Sequence, residues 1–465
     1  ALPNEKASEW MEENIPLFEC PQHNFEEMYY YRWWSLRKHI KETPVGYGMT
    51  EFLVQRSYSD KYNLIACAIG HHIYESRWLR DPKYLDQIIH TWYRGNDGGP
   101  MKKMDKFSSW NADAVLARYM VDGDKDYLLD MKKDLETEYQ RWERTNRLKN
   151  GLYWQGDVQD GMEESISGGR RKKYARPTIN SYMYGNAKAL SCIGILSGDE
   201  GMAMKYGMRA DTLKNLVENE LWNTRHQFFE TMRTDSSANV REAIGYIPWY
   251  FNLPDTTQKY EIAWKEIMDE KGFSAPYGLT TAERRHPEFR TRGVGKCEWD
   301  GAIWPFASAQ TLTAMANFMN NYPQTVLSDS VYFRQMELYV ESQYHRGRPY
   351  IGEYLDEVTG YWLKGDQERS RYYNHSTFND LIITGLIGLR PRLDNTIEVN
   401  PLIPADKWDW FCLDNVLYHG HNLTILWDKN GDRYHCGKGL RIFVDGKEVG
   451  QANTLTKIVC ENALK

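Results

Sequence analysis

The sequence has no basic surplus, no long apolar run and no regular cysteine spacing. Its 465 residues carry a formal net charge of −6, which argues against a nucleic-acid partner because phosphate binding needs clustered Lys and Arg side chains. No stretch approaches the roughly 18 to 20 consecutive apolar residues that cross a bilayer, and the mean hydropathy is −0.69, so we expect no membrane partner. The seven cysteines lie far apart without a Cys-x-x-Cys pair, a pattern that predicts neither a metal site nor a disulfide framework.

The compartment is not fixed by the sequence. The first residue is Ala rather than Met, which fits a processed mature protein as well as a trimmed chain. No signal-peptide pattern is visible at this end. We favour a periplasmic or secreted location over a cytoplasmic one.

Helical periodicity dominates residues 24–390. Apolar stripes such as Ile65, Ile69 and Ile73 recur at four-residue spacing and end at Gly, Pro or Asn, which predicts about ten to twelve helices. Long loops rich in Trp, Tyr, Asp and Glu connect them, and we find no solenoid repeat of about 34 to 45 residues. A closed ring of helical hairpins gathers such loops at one mouth. We therefore predict a mainly α fold, an (α/α)6 toroid.

The pattern changes after Pro391. Short β-rich runs follow, and the pair Asp445-Gly446 between alternating segments predicts a hairpin. A chain of this length also exceeds one ordinary core. We predict a helical domain over residues 1–390 and a small C-terminal antiparallel β domain over residues 391–465, packed against it.

Two short acidic motifs stand out among many aromatic residues. They cover residues 161–164 and 352–354, in a chain with 17 Trp and 32 Tyr. Hydrolysis of a glycosidic bond needs one carboxylic acid to protonate the leaving oxygen and one carboxylate to activate water or attack carbon. Aromatic faces also stack on sugar rings. The combination indicates sugar chemistry.

The first acidic segment covers residues 151–182. Four acids lie within eight residues there: Asp157, Asp160, Glu163 and Glu164. Crowded carboxylates raise one another's pKa, and an aromatic wall adds desolvation, so one of them can stay protonated near neutral pH as a general acid. The alternative is a solvated loop, or a carboxylate that caps the helix beginning near Asn180. The substrate-binding candidates in this segment are Trp154, Asp157 and Arg176.

The second acidic segment, residues 350–362, presents Glu353 between glycine and aromatic residues. Gly352 permits close approach of backbone or ligand, and Tyr361 is among the aromatic residues that we expect to wall a sugar subsite. A base that activates water must stay ionised. Its candidate cationic partners are Arg346, Arg348, Arg369 and Arg371.

A third segment places two tryptophans around an acid. Trp299 and Trp304 fit a substrate-binding loop, and Pro305 marks the first turn of the helix that follows. Asp300 either bonds sugar hydroxyls or caps that helix. Far upstream, Glu51 follows a Gly-Tyr-Gly stretch and is a further candidate for sugar contact.

Together these segments resemble the six-hairpin glycoside hydrolases, in particular the family 63-like group of processing α-glucosidases and mannosylglycerate hydrolases. In that group a Gly-(Met/Leu/Trp)-Asp motif carries the general acid, and residues 161–163 occupy it with Glu163 in place of Asp. The resemblance implies Glu163 as the acid, with Asp160 as the alternative because the longer side chain displaces the proton. Residues 299–304 look like the group's Trp-x-Gly-x-x-Trp motif, and Glu353 lies in what looks like its base-bearing loop.

The resemblance implies an inverting hydrolase of an α-linked sugar, in which Glu163 donates a proton and Glu353 activates water. This mechanism requires no metal and no organic cofactor, because the two carboxyl groups carry out both proton transfers. The expected partner is an oligosaccharide or glycoside substrate, and no obligatory protein partner is inferred.

Two other functions stay open. A sugar epimerase or isomerase on the same fold would abstract protons with a histidine pair, and His345 and His375 would then face each other in the pocket. A carbohydrate-binding protein would keep the cleft without turnover, and the Glu-for-Asp change supports that alternative.

Overall fold

The computed structural model describes residues 2–465, except the side chain of Gln258. Helices dominate the first part of the chain and strands the last part. The α-helices are α1 (Ala7–Asn14), α2 (His23–His39), α3 (Ile69–Ser76), α4 (Lys83–Arg94), α5 (Asn111–Asp122), α6 (Lys125–Asn146), α7 (Pro177–Ser197), α8 (Glu200–Leu216), α9 (Ile247–Tyr250), α10 (Gln258–Glu261), α11 (Pro305–Asn321), α12 (Asp329–Ser342) and α13 (Asn379–Leu381).

Six of these helices form a closed inner ring. α3 contacts α5, α5 contacts α7, α7 contacts α9, α9 contacts α11, α11 contacts α13, and α13 returns to α3. Neighbouring helices cover the outside of this ring: α6 and α8 pack on α7, and α12 packs on α11 and α2. The predicted (α/α)6 toroid is confirmed.

The sequences of the inner helices explain their position. Most residues of α7 and α11 are apolar or small and are buried, as expected for helices that are covered on nearly all sides. Both helices have proline in the first turn, Pro177 and Pro305, where the missing backbone N–H costs nothing. The predicted start at Pro305 is confirmed. α7 ends at Gly198, whose φ of 72° suits a residue without Cβ.

The sequence pattern predicts a further helix over residues 376–388, and the helix found there begins only at Asn379. α13 has only three residues and continues as a π-helical turn over Ile382–Leu386. The carboxylate of Glu75 caps the start of this helix, because it accepts hydrogen bonds from the backbone N–H groups of Phe378 and Asp380, each at 2.6 Å. These bonds satisfy backbone N–H groups at the start of the helix, where Phe378 has a non-helical φ of −142°. Glu75 therefore has a structural role.

The strands form one sheet and several short hairpins. Their bounds are β1 (Leu17–Glu19), β2 (Ile40–Thr43), β3 (Gly46–Met49), β4 (Trp154–Gln155), β5 (Tyr174–Ala175), β6 (Trp222–Asn223), β7 (Phe228–Phe229), β8 (Ser274–Ala275), β9 (Gly278–Leu279), β10 (Tyr344–His345), β11 (Arg348–Pro349), β12 (Ile397–Val399), β13 (Trp410–Tyr418), β14 (His421–Asp428), β15 (Gly439–Val444), β16 (Lys447–Ala452) and β17 (Ile458–Cys460). The five-stranded antiparallel sheet has the order β1-β13-β14-β15-β16. The predicted hairpin is confirmed, since Asp445 and Gly446 turn with φ of 49° and 79° between β15 and β16.

The sheet packs directly on the helical ring. Trp408 is buried and lies 5.2 Å from Phe25 of α2 and 5.4 Å from Phe333 of α12, measured between ring centroids. The N-terminal strand β1 also pairs with β13, so the sheet takes a strand from the start of the chain. The division of the chain at residue 390 stays a prediction. Among the helices of residues 2–465, none combines the length and the apolarity that a membrane span requires.

Candidate active site

A cavity of about 320 Å³ lies over the amino-terminal ends of the inner helices. Its walls come from the segments that precede α3, α5, α7, α11 and α13, so loops far apart in sequence meet at one mouth. The lining residues are Glu51, Tyr58, Ile65, Cys67, Lys106, Phe107, Val158, Gly161, Glu163, Cys297, Trp304, Phe306, Glu353, Lys364, Arg369, Tyr373 and His375. Four of the expected site residues meet here: Glu51, Glu163, Trp304 and Glu353.

The loop before α7 supplies one carboxyl group of the cavity, that of Glu163. Burial, together with the negative charges of Glu353 and Asp157, raises the pKa of Glu163 to about 7. The loop depends on Gly161, which has a φ of 70° and lies so close to Cys67 that an added Cβ would be 2.3 Å from the sulfur. This packing fixes the backbone next to the carboxyl group. A carboxylic acid that still holds its proton near neutral pH can protonate a leaving group.

Glu353 lies in the same cavity in a different charge environment. Its carboxylate Oε2 is 3.9 Å from Lys364 Nζ and 3.8 Å from Arg369 Nη2. These two cations compensate a negative charge on Glu353. Oε2 is buried and has no hydrogen-bond partner within the described part of the protein, so it is available to a water molecule or a substrate. Arg369 was among the four expected partners, whereas Lys364 was missed although it lies in the same loop.

Glu51 is a third carboxyl group in the cavity. Its Oε1 accepts a hydrogen bond from the Tyr373 hydroxyl at 2.5 Å, while its buried Oε2 has no partner among residues 2–465. Burial raises the pKa of Glu51 to about 8, and the charges of Glu353 and Glu163 contribute to the rise. Three carboxyl groups therefore share one site, and the charge of Glu353 contributes to the raised pKa of Glu51 and of Glu163.

The structure places Asp160 and Arg176 in a closed network instead of the cavity. Asp160 is fully buried and accepts hydrogen bonds from Arg176 Nε at 2.6 Å, from the Thr178 hydroxyl at 2.5 Å and from the Ser108 hydroxyl. Both oxygens of the Asp160 carboxylate thus accept hydrogen bonds from buried side chains. The pair fixes the loop that carries Glu163, and neither Asp160 nor Arg176 lines the cavity.

Exchange of Asp160 for Asn is therefore expected to lower stability strongly. The change leaves the Arg176 guanidinium buried without its carboxylate, and the free energy of unfolding should fall by about 3–5 kcal/mol. Urea unfolding measures the loss. The matched control is Asp409→Asn, because Asp409 pairs with Lys429 at 2.8 Å on the exposed surface and should cost less than about 1 kcal/mol. Equal losses in the two variants would contradict the structural role.

The remaining expected contacts also lie outside the cavity. Trp299 is buried behind Trp304, with their rings stacked at 4.6 Å. Asp300 is buried, and its Oδ2 accepts backbone N–H bonds from Arg292 at 2.6 Å and Gly293 at 2.9 Å. These bonds fasten the loop of Asp300, whose buried Oδ1 has no hydrogen-bond partner within residues 2–465, and Asp300 does not cap α11.

Three further residues that were expected to contact the sugar make contacts within the protein. Trp154 lies under the ammonium group of Lys173, which is 4.8 Å from the ring centroid. Asp157 accepts the backbone N–H of Val158 at 2.8 Å and acts on the site only through its charge on Glu163. Tyr361 is exposed and donates its hydroxyl hydrogen bond to Asp366 at 2.5 Å. None of the three lines the cavity described above.

The two histidines that an epimerase would need do not meet. His375 lines the cavity, whereas His345 lies outside it and is 3.5 Å from Asp366. The structure therefore lacks the facing pair of His345 and His375 that the epimerase alternative requires.

Comparison with known proteins agrees with a glycoside hydrolase built on a helical ring. Residues 61–376 match the mannosylglycerate hydrolase MGH1-like glycoside hydrolase domain, and residues 389–450 match the C-terminal domain of glycosyl hydrolase family 65. Because the first match covers more than half of the chain, the protein belongs to the MGH1-like glycoside hydrolase family. The similarity to family 63 that the motifs indicated is confirmed.

Solved structures give the same fold. A protein described as a sialidase is 95% identical with a TM-score of 0.99, and the alignment covers 100% of this chain and 43% of that one. The chain thus spans less than half the length of that relative. The GH63 mannosylglycerate hydrolase of Thermus thermophilus, in complex with glucose, is 12% identical over 77% of this chain and 99% of its own, with a TM-score of 0.58. A GH78 rhamnosidase of a Bacillus species is 10% identical over 92% and 41%, with a TM-score of 0.61. The last two similarities concern the fold alone.

Proposed function

We propose that the protein hydrolyses an α-linked glycoside with inversion at the anomeric carbon, with Glu163 as general acid and Glu353 as general base. The observation that carries this proposal is the unequal environment of two carboxyl groups in one cavity. Glu163 has a pKa raised to about 7, whereas Glu353 lies within 4 Å of two cations. One group is thus suited to give a proton and the other to accept one.

In this mechanism the glycosidic oxygen takes the proton of Glu163 as the bond to the anomeric carbon breaks. Glu353 removes a proton from a water molecule on the opposite ring face, and the water oxygen forms the new bond to that carbon. Trp304 supplies an aromatic wall, since its ring lines the cavity and stacks on Tyr354 at 4.5 Å. Glu51, protonated below about pH 8, donates a hydrogen bond to a sugar hydroxyl.

Product stereochemistry tests the mechanism. A panel of α-linked disaccharides and oligosaccharides is incubated with the protein, and NMR follows the anomeric proton in the first minutes, before mutarotation. We expect the β-anomer to form first, and a complex with substrate should place the two carboxyl groups about 6.5–9.5 Å apart. First formation of the α-anomer would contradict inversion. No release of sugar by the wild type or by Glu353→Gln would support the alternative of a binding protein without turnover.

Release of sialic acid is a second candidate, because the relative at 95% identity is described as a sialidase. Sialidases use a tyrosine nucleophile, and Tyr373 with its Glu51 partner is the pair in this cavity that fits such a role. However, burial and the charges of Glu51 and Glu353 raise the pKa of Tyr373 well above its ordinary value. The phenolate is therefore disfavoured, and we rank this activity second. Sialyllactose in the substrate panel tests it.

The protonated state of Glu51 has a measurable effect on stability. Its pKa is about 8 in the folded protein against 4.5 for an unperturbed glutamate. Folding therefore favours the protonated form, and the stabilising contribution is full below about pH 4.5 and is lost as the pH rises through about 8. Glutamine imitates the protonated side chain, so Glu51→Gln should resist this loss. From pH 5 to pH 9, the free energy of unfolding of the wild type should therefore fall by roughly 3–5 kcal/mol more than that of Glu51→Gln.

Urea unfolding at the two pH values measures this difference. Glu368→Gln is the control, because it makes the same Glu-to-Gln exchange at an exposed position. Parallel pH dependence of wild type and Glu51→Gln would show that Glu51 is ionised in the folded protein.

A further inference from the structure

A second concavity of about 790 Å³ lies outside the catalytic cavity, and we call it the outer groove. Its walls are formed by α2, by the hairpin of β10 and β11, and by parts of the segment 350–373. That segment contributes alternate positions to the two sites: Lys364 and Tyr373 line the catalytic cavity, while Gly365 and Tyr372 line the outer groove. The two sites share none of their lining residues.

One wall of the outer groove is aromatic. Tyr31 and Trp34 project from α2 with ring centroids 5.9 Å apart, and the edge of Tyr372 approaches Trp34 at 5.5 Å. All three rings are only partly buried, unlike the neighbouring Trp33, which is fully enclosed in the core. Tyr372 has a φ of 59°, a backbone form that is costly for a bulky residue. His39 fixes it through a 2.5 Å hydrogen bond to its carbonyl oxygen.

The rest of the outer groove is positively charged. Three arginines line it, Arg346, Arg348 and Arg371, against one acid, Asp366. Asp366 is already engaged by Arg346 at 2.7 Å. Within residues 2–465, neither Arg348 nor Arg371 has a carboxylate within ion-pair distance. Two guanidinium groups thus face the groove without counter-charges on a chain with a net charge of −6.

We propose that the outer groove binds an acidic oligosaccharide, with sugar carboxylates on Arg348 and Arg371 and ring faces against Tyr31 and Trp34. A guanidinium binds a carboxylate through two parallel N–H bonds, and aromatic rings offer apolar faces to the sugar ring. The free arginines supply the charge complementarity. Tyr31 supplies the stacking surface together with Trp34, one face of which carries the Lys38 ammonium group at 3.9 Å from the ring centroid. The site would retain an anionic segment of a polysaccharide beside the loop that carries Glu353. This proposal does not depend on the catalytic roles of Glu163 and Glu353.

Calorimetric titration tests the outer groove with three ligands: tetragalacturonate, neutral maltotetraose and a tetrathymidylate oligonucleotide. The Glu353→Gln background prevents consumption of the ligand, and binding is measured whether or not that variant loses activity. We expect tetragalacturonate to bind and each of Arg348→Gln and Arg371→Gln to weaken it by about tenfold or more, since each removes a charged hydrogen-bond donor. Arg225→Gln, an exposed arginine in the β6–β7 turn, is the matched control and should leave binding unchanged.

Four outcomes overturn the proposal. They are absence of tetragalacturonate binding, equal binding of maltotetraose, equal binding of the oligonucleotide, and a loss that follows Lys106→Gln but neither arginine variant. The last result would place the ligand in the catalytic cavity, because Lys106 lines that cavity. Circular dichroism of each variant confirms that a loss of binding does not arise from unfolding.

Discussion

Glu353→Gln is expected to lower kcat by about 10²–10⁴-fold, the range that a general base contributes. The amide keeps the shape of the side chain but cannot take a proton from water. Its neighbours Lys364 and Arg369, which face the carboxylate within 4 Å, would then surround a neutral group. Initial rates on the best substrate of the α-linked panel give kcat and KM. The larger change should be in kcat, because the base acts in the transition state rather than in substrate binding.

Azide separates loss of the base from loss of the fold. Azide is a nucleophile without deprotonation, so it should restore part of the turnover of Glu353→Gln by forming a carbon–nitrogen bond at the anomeric carbon as the carbon–oxygen bond breaks. The product should be a β-glycosyl azide. Glu368→Gln in the same loop is exposed and should retain wild-type kcat. An unchanged kcat in Glu353→Gln would remove Glu353 from the mechanism.

The sequence predicted the ring because its signals are local and repeated. Inner helices such as α7 and α11 are rich in apolar and small residues and have a proline in the first turn, and these features do not depend on distant contacts. The shortening of α13 was not predictable in the same way. The start of α13 is fixed by hydrogen bonds that Glu75 accepts from Phe378 and Asp380, about 300 residues away in the chain.

The same distinction applies to the candidate site. Glu163 and Glu353 could be selected from motif resemblance, but residue type could not show which nearby acids are closed off. Asp160 looks as available as Glu163 in sequence, yet its two carboxylate oxygens are occupied by Arg176, Thr178 and Ser108. An acid is free to act when its hydrogen-bonding partners are missing, and that property depends on the three-dimensional structure.

Glu163→Gln should also lower kcat by about 10²–10⁴-fold, but only for substrates whose leaving group needs a proton. A sugar alkoxide leaves poorly without one, whereas fluoride or 2,4-dinitrophenolate leaves readily. The variant should therefore hydrolyse an α-glycosyl fluoride at a rate close to that of the wild type and an α-linked disaccharide very slowly. This contrast distinguishes an acid from a residue that merely supports the cavity, because a structural defect would slow both substrates alike.

The pH profile gives the second measurement on the same variant. Glu163 must be protonated to act, and its pKa is raised to about 7, so wild-type kcat/KM on the disaccharide should fall as the pH rises above about 7. This alkaline decline should be absent from Glu163→Gln acting on the fluoride. Glu164→Gln is the adjacent control, since Glu164 faces Arg170 at 3.7 Å and Lys296 at 3.9 Å, and it should behave like the wild type. If Glu51→Gln rather than Glu163→Gln showed the leaving-group contrast, the proton would come from Glu51, whose pKa of about 8 also keeps it protonated at neutral pH.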